Sequence, residues 1–72
     1  MKIEKVYIDQ DFIKLDSLLK FGGVVPTGGQ AKVLVQSGKV YVNGKVCTER
    51  GKKIHVGDQV QNEDKILEVY RK

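Results

Sequence analysis

The spacing of apolar residues changes along the chain and predicts a short strand followed by a helix. Residues 2–8 alternate between polar and apolar side chains, which favours a strand. Over residues 12–21 the apolar side chains recur at helical spacing, so we expect a helix there, with Asp9 or Asp11 as its cap. Glycines at 22–23 should end this helix, because glycine adopts the left-handed conformation easily.

A second helix is predicted from about residue 28 to residue 37. Pro26 keeps the preceding residue out of helical geometry, so a new element begins after it. Thr27 and Gln30 match a Thr-x-x-Gln capping box, and Gly38 should end the helix. Its apolar side would consist of Ala31, Leu34 and Val35. Its other side and its exit would be polar and basic, through Lys32, Gln36 and Lys39.

Two glycines, Gly28 and Gly29, occupy the first turn of this helix at a cost of roughly 1 kcal/mol each relative to alanine. Either they permit close packing or a tight turn, or they leave the first helical amides open. Exposed amides at a helix start form a natural phosphate site. Both interpretations stay open at this point.

A β-hairpin is predicted around the Asn-Gly pair at 43–44, which lies between β-branched runs. A two-residue turn would place Val42 opposite Lys45. A three-residue turn with a glycine bulge would place Val40 opposite Val46. We favour the second register because it pairs apolar residues.

The rest of the chain predicts a basic loop over residues 48–53, a turn over 56–58, and strands over 59–61 and 66–70. The first and last strands are expected to pair. The fold class is therefore α+β, with two short helices packed on a small, mainly antiparallel sheet. We expect one domain over residues 1–72.

Composition argues against an enzyme, a metal site and a cofactor site. A domain of 72 residues has a small core and little room for a supported pocket. His55 and Cys47 are the single residues of their kinds, and neither belongs to a catalytic or metal motif. We expect an exposed His55 and a buried Cys47. The lone cysteine, with no signal peptide and no long apolar run, predicts a cytoplasmic protein with no membrane contact.

Positive charge is concentrated in the middle of the chain. The net charge is +4, yet residues 17–57 hold seven basic residues against the single acid Glu49. Such a block is the expected footprint for a polyanion, although a lysine-rich solvated surface would look the same. Tyr41 could stack on a base or pack in the sheet.

The basic helix, hairpin and loop therefore define a candidate nucleic-acid-binding surface. Lysine and arginine would neutralise phosphates, and amides would bond to sugars or bases. Phosphate contacts alone leave RNA and DNA both open as partners. The predicted site residues are Gly28, Gly29, Gln30, Lys32, Gln36, Lys39, Asn43, Lys45, Arg50, Lys52 and Lys53.

The order of several short motifs resembles the ribosomal protein S-four RNA-binding domain, or αL motif, over about residues 12–60. The matching residues are Leu15-Asp16, Leu18-Leu19, Ala31, Leu34, Gly38, Val40, Val42-Asn43-Gly44, Val46 and Val56-Gly57-Asp58. The Gly-Gly-x-Ala-Lys start of the second helix is similar to that of small stand-alone bacterial members. This resemblance implies binding of structured RNA, typically ribosomal or transfer RNA.

The chain departs from the family at Gly28-Gly29, where many members carry Ser-Arg, so one arginine contact is missing. Backbone amides or Lys32 would have to replace it. An alternative function is a protein-interaction adaptor within a nucleic-acid assembly, with a ribosomal or other protein as partner. It would use the hairpin edge or apolar residues such as Val24 and Val25.

Overall fold

The computed structural model describes residues 2–72, which form two helices and seven strands. In chain order they are β1 (Lys2–Ile8), β2 (Phe12–Lys14), α1 (Leu15–Phe21), α2 (Gly28–Gln36), β3 (Val40–Val42), β4 (Lys45–Val46), β5 (Lys53–His55), β6 (Gln59–Asn62) and β7 (Lys65–Arg71).

Five strands form the main sheet in the order β1-β7-β6-β3-β4. The first and last strands, β1 and β7, pair in parallel, whereas the other neighbours in this sheet are antiparallel. The two remaining strands, β2 and β5, form a separate antiparallel ribbon. The predicted pairing of the first and last strands is confirmed, as is the mainly antiparallel sheet.

One face of the main sheet carries the core. Alternation along β1 and β7 turns Val6, Leu67 and Val69 to this face, and all three are buried. Both helices contribute to the same apolar cluster, α1 through three leucines and α2 through Ala31 and Val35. The α+β fold class predicted from the sequence is therefore confirmed.

The first helix begins later than its apolar spacing predicted. Residues 12–14 form β2, and α1 starts at Leu15 after Lys14, whose side chain makes no capping bond. Neither aspartate caps the helix, so that prediction is wrong. The Leu15 amide donates instead to the Lys52 carbonyl at 2.9 Å, and the Asp16 amide to the Arg50 carbonyl at 3.0 Å. A distant loop thus satisfies the first helical amides.

The hairpin has the two-residue turn, so the register that we favoured is wrong. Val42 lies opposite Lys45, and Tyr41 lies opposite Val46. Asn43 and Gly44 have φ values of 51° and 87°, the left-handed geometry of a type I′ turn. This turn matches the twist of the flanking strands, and the cost is that Val46 stays 53% exposed.

Candidate nucleic-acid interface

The second helix begins and ends as its sequence predicted. The Gln30 amide donates to the Thr27 hydroxyl oxygen at 3.2 Å, and the Ala31 amide donates to the Thr27 carbonyl at 3.1 Å. Gly38 follows the helix with a φ of 81°. The first amides of a helix have no carbonyl partner within the helix. In α2 the first two amides belong to Gly28 and Gly29, and they precede the amides of Gln30 and Ala31 that Thr27 binds.

Packing within the chain does not explain the two glycines. A Cβ at Gly28 would meet nothing within 4 Å, and one at Gly29 would meet only the Thr27 hydroxyl oxygen at 4.0 Å. Neither residue has a positive φ. The steric interpretation thus loses its basis within residues 2–72, whereas open amides at the start of α2 agree with the geometry.

The two sides of α2 differ as predicted. Ala31 and Val35 are completely buried, and Leu34 packs partly against the core. The polar side chains Lys32 and Gln36 are exposed. Lys39, just before β3, is also exposed. This side of the molecule can therefore place two ammonium groups against a polyanion without uncovering the core.

Asn43 holds two turns of the fold together. Its side-chain oxygen accepts from the Gln59 amide at 2.9 Å, and its side-chain nitrogen donates to the Asp58 carboxylate at 3.0 Å. The Asn43 backbone amide also donates to the Gln59 carbonyl at 2.8 Å. The β3–β4 turn is thereby fastened to the start of β6. Contact of Asn43 with nucleic acid stays a prediction, for which one amide hydrogen remains.

Asp58 is the partner of Asn43, and the sequence predicted no role for it in the site. Its carboxylate accepts from the His55 backbone amide at 2.8 Å as well as from Asn43. Burial by itself raises the pKa of Asp58, but these hydrogen bonds and the charges of His55 and Lys52 outweigh burial and hold the pKa below 3.8. The Gly-Asp signal in the sequence therefore marks a turn that supports the hairpin.

The structure separates the predicted residues into groups. A polar depression of about 490 Å³ under the hairpin is lined by Asn43, Lys45 and Lys52, with Glu49 in the same wall. A second groove, of about 470 Å³, runs beside α2 and includes Gln30 and Lys39 in its lining. Lys39 and Lys45 flank opposite ends of the β3–β4 hairpin. The candidate interface therefore extends along the hairpin.

The remaining predicted residues are Arg50 and Lys53, and they lie in different elements, because β5 begins at Lys53 and shortens the predicted basic loop by one residue. Arg50 is exposed, and its carbonyl is fixed to the start of α1. Lys53 lies on β5, with its ammonium nitrogen 4.9 Å from the centre of the Phe12 ring. Directly opposite Lys53 on β2 is Lys14, which sequence reasoning missed because it interpreted Phe12–Lys14 as helix. The pairing of β2 with β5 brings these two lysines together, and no local pattern in the sequence predicts that pairing.

The described part of the chain, residues 2–72, contains neither a metal-binding group of side chains nor a membrane-spanning helix. No three side chains among the histidines, cysteines, aspartates and glutamates of this range are grouped so that they could hold a metal ion. No helix in it is long and apolar enough to span a membrane. Cys47 is a free cysteine, partly buried against the core, and His55 is exposed as expected.

The arrangement of two helices against this sheet is that of a known class of domain. A family model described as the S4 domain matches residues 6–70. The chain therefore belongs to the S4 domain family, which confirms the resemblance seen in its sequence and places it among RNA-binding domains.

The chain is also similar to individual proteins, among them one from Bacillus subtilis and one from Vibrio cholerae. The probable ribosome maturation protein RlbA of Bacillus subtilis (strain 168) is 38% identical over 58 residues, covering 81% of this chain and 82% of that protein. The trimeric structure of Vibrio cholerae Heat Shock Protein 15 superposes with a TM-score of 0.66 at 26% identity. That match covers 74% of this chain and 52% of the other, so this chain spans about half the length of Heat Shock Protein 15.

Proposed function

We propose that this protein binds structured RNA without catalysis, and that the RNA is ribosomal, with transfer RNA as the other candidate. The observation that carries the proposal is the exposed basic side of α2 and its continuation along the hairpin, on an S4 domain fold. The 38% identity to a protein named for ribosome maturation supports a ribosome-associated role. We propose further that one domain spans residues 1–72 and acts in the cytoplasm.

The chemistry of binding would be neutralisation of phosphates by mobile ammonium groups. Lys32, Lys39, Lys45 and Lys52 are exposed and could each release a counterion on contact with the RNA backbone. The free amides at the start of α2 would add hydrogen bonds to a phosphate oxygen. Four such lysine contacts predict that log K falls with log salt with a slope of about −3.

The test is a salt titration of binding to labelled fragments of structured ribosomal RNA, with transfer RNA as a second probe and duplex DNA as competitor. The test variant is K32E/K39E, which reverses two charges on the proposed surface. The matched control is K2E/K5E, which makes the same charge change on β1, at the opposite edge of the main sheet from β4. Thermal unfolding checks that both variants fold.

We expect tight, salt-sensitive binding that survives the DNA competitor, a large loss in K32E/K39E and a small one in K2E/K5E. Equal losses of affinity in the two variants would show that binding depends on net charge alone, and would overturn the proposed surface. Absence of binding at low salt would overturn RNA binding itself. Stronger binding of transfer RNA than of ribosomal fragments would show that transfer RNA is the ligand.

One observation favours the adaptor as a second candidate function. The groove beside α2 is lined by Val24, Val25, Val33 and Leu34, and Val33 is 69% exposed although it lies within a helix. An exposed apolar groove of this kind suits a protein partner. Co-sedimentation with ribosomal particles that persists at high salt after nuclease treatment, and that is lost in Val33→Asp, would favour the adaptor. Loss in K32E/K39E alone would favour RNA.

A further inference from the structure

The two-stranded ribbon of β2 and β5 has an outer face that the predicted site only touched. The register pairs Phe12 with His55, Ile13 with Ile54, and Lys14 with Lys53. Ile54 is completely buried and Ile13 packs against the core. Because side chains alternate along a strand, the other four residues point outward. We call this outer face the ribbon strip, and its members are Phe12, Lys14, Lys53 and His55.

The cross-strand pair in the ribbon strip works against the stability of the fold. Lys14 and Lys53 are both exposed and lie directly opposite each other. Like charges at such a position are destabilising, and a two-stranded ribbon has little stability of its own to offset the repulsion. None of the ion pairs formed within residues 2–72 includes either lysine.

The aromatic ring at the end of the ribbon helps to fix this arrangement. The Lys53 ammonium nitrogen lies 4.9 Å from the centre of the Phe12 ring, and the Phe12 and His55 rings are 6.1 Å apart. A cation over an aromatic face is attracted to it, which limits the positions that the Lys53 side chain adopts. The strip therefore offers a partly ordered positive charge with a second one on the neighbouring strand.

The ribbon strip is also continuous with the candidate interface. Lys53 follows Lys52, which lines the depression under the hairpin. The Lys52 carbonyl accepts from the Leu15 amide at 2.9 Å, so the loop is fastened beside the end of β2, where Lys14 lies. An RNA strand that contacts Lys52 would therefore pass beside the start of β5, where Lys53 lies.

We propose that Lys14 and Lys53 together bind the RNA backbone at a phosphate beyond the hairpin, so that the ribbon strip extends the interface around the loop. This inference rests on the proposed function, since it names a further contact of the same RNA. It also assigns a role to Lys14, which the sequence pattern did not place in the site. The bound anion relieves the repulsion between the two ammonium groups.

The test compares Lys14→Gln with Lys2→Gln, which removes the same charge from an exposed position on β1. The probe is the ribosomal RNA fragment that the wild-type protein binds most tightly, titrated over a range of salt. Loss of one phosphate contact predicts an affinity about sixfold lower at 0.1 M salt, and a salt slope smaller by about 0.7–0.9. The free energy of unfolding of Lys14→Gln should stay equal or rise, because the repulsion is gone.

Opposite changes in affinity and stability distinguish a binding role from a structural one. A Lys14→Gln variant with wild-type affinity and salt slope would overturn the inference, whereas the proposed function would stand if K32E/K39E still lost binding. A destabilised Lys14→Gln would also overturn it, since the lysine would then serve the fold. If the wild-type protein bound no RNA, the proposed function would fail first and this inference with it.

Discussion

The side-chain amide of Asn43 lies 3.0 Å from the carboxylate of Asp58, and this contact fastens the hairpin turn to the turn before β6. Asn43 also accepts a hydrogen bond from the Gln59 amide, beside the second turn, whereas Asp58 accepts one from the His55 amide within its own turn. The hairpin that carries Lys45 is therefore held by polar contacts rather than by apolar pairing across its strands.

The first prediction concerns Asn43 itself. Asn43→Gly should lower the free energy of unfolding by about 1–3 kcal/mol, because the Gln59 amide and Asp58 lose their partner. Asn43→Ala should cost more, since a φ of 51° suits glycine better than alanine. Urea unfolding followed by circular dichroism measures both. A Gly variant as stable as the wild type would show that the contact contributes nothing.

The second prediction follows from the lowered pKa of Asp58. The ordinary pKa of an aspartate, 3.8, describes Asp58 in the unfolded chain. In the folded protein the pKa is lower, so Asp58 stays ionised at pH values just below 3.8, at which the unfolded chain already binds a proton. Its contribution to stability is therefore complete above that pH and is lost as the pH falls through the lowered pKa. Asp58→Asn should be less stable than wild type at neutral pH. The difference between them should shrink in acid.

Urea unfolding of both proteins at several pH values gives this difference directly, and the other carboxyl groups cancel from it. A difference that stays constant from neutral pH into acid would contradict the lowered pKa. A difference that grows in acid would mean that the Asp58 pKa is raised by its burial instead.

Local signals were sufficient where one residue decides the conformation. The start and end of α2 were predicted within a residue, because Thr27 caps the helix and Gly38 ends it. The exposure of Lys32 and Gln36 followed from helical periodicity alone. These parts of the candidate site could be derived from the sequence without any knowledge of the sheet.

The features that the sequence did not predict depend on pairing with residues that are distant in the chain. The segment 12–14 has apolar spacing that suits a helix, but β5 draws it into a ribbon, and that partner lies in the second half of the chain. The two-residue hairpin turn leaves Val46 exposed, and Asn43 in that turn is held by hydrogen bonds with Gln59 and Asp58, which are distant in the chain. Lys14 was missed for the same reason, since its position depends on the ribbon.

The third prediction tests the hairpin register. Val42 is 6% exposed and Val46 is 53% exposed, although both are valines in paired strands. Val42→Thr should lower the free energy of unfolding by about 1–3 kcal/mol, because a hydroxyl enters the core. Val46→Thr should change it by less than about 0.5 kcal/mol. Thermal or urea unfolding compares the two, and equal losses would favour the alternative register, in which Val46 is buried.

The last prediction separates the two interpretations of the glycines at the start of α2. A methyl group at Gly28 meets nothing, and one at Gly29 only just reaches the Thr27 hydroxyl, so Gly28→Ala and Gly29→Ala should each raise the free energy of unfolding by up to about 1 kcal/mol. If the open amides bind phosphate, the added methyl groups keep the RNA backbone away, and affinity should fall as stability rises.

Thermal unfolding and titration with the same ribosomal RNA fragment measure the two quantities on the same variants. Unchanged affinity in the more stable double variant G28A/G29A would show that the amides are not phosphate ligands. Lower stability would instead restore a packing role for the glycines. If the two glycines allow a phosphate to approach the amides closely, the double variant should be more stable and should bind RNA more weakly. In that case the wild-type glycines lower the stability of the free protein and raise its affinity for RNA.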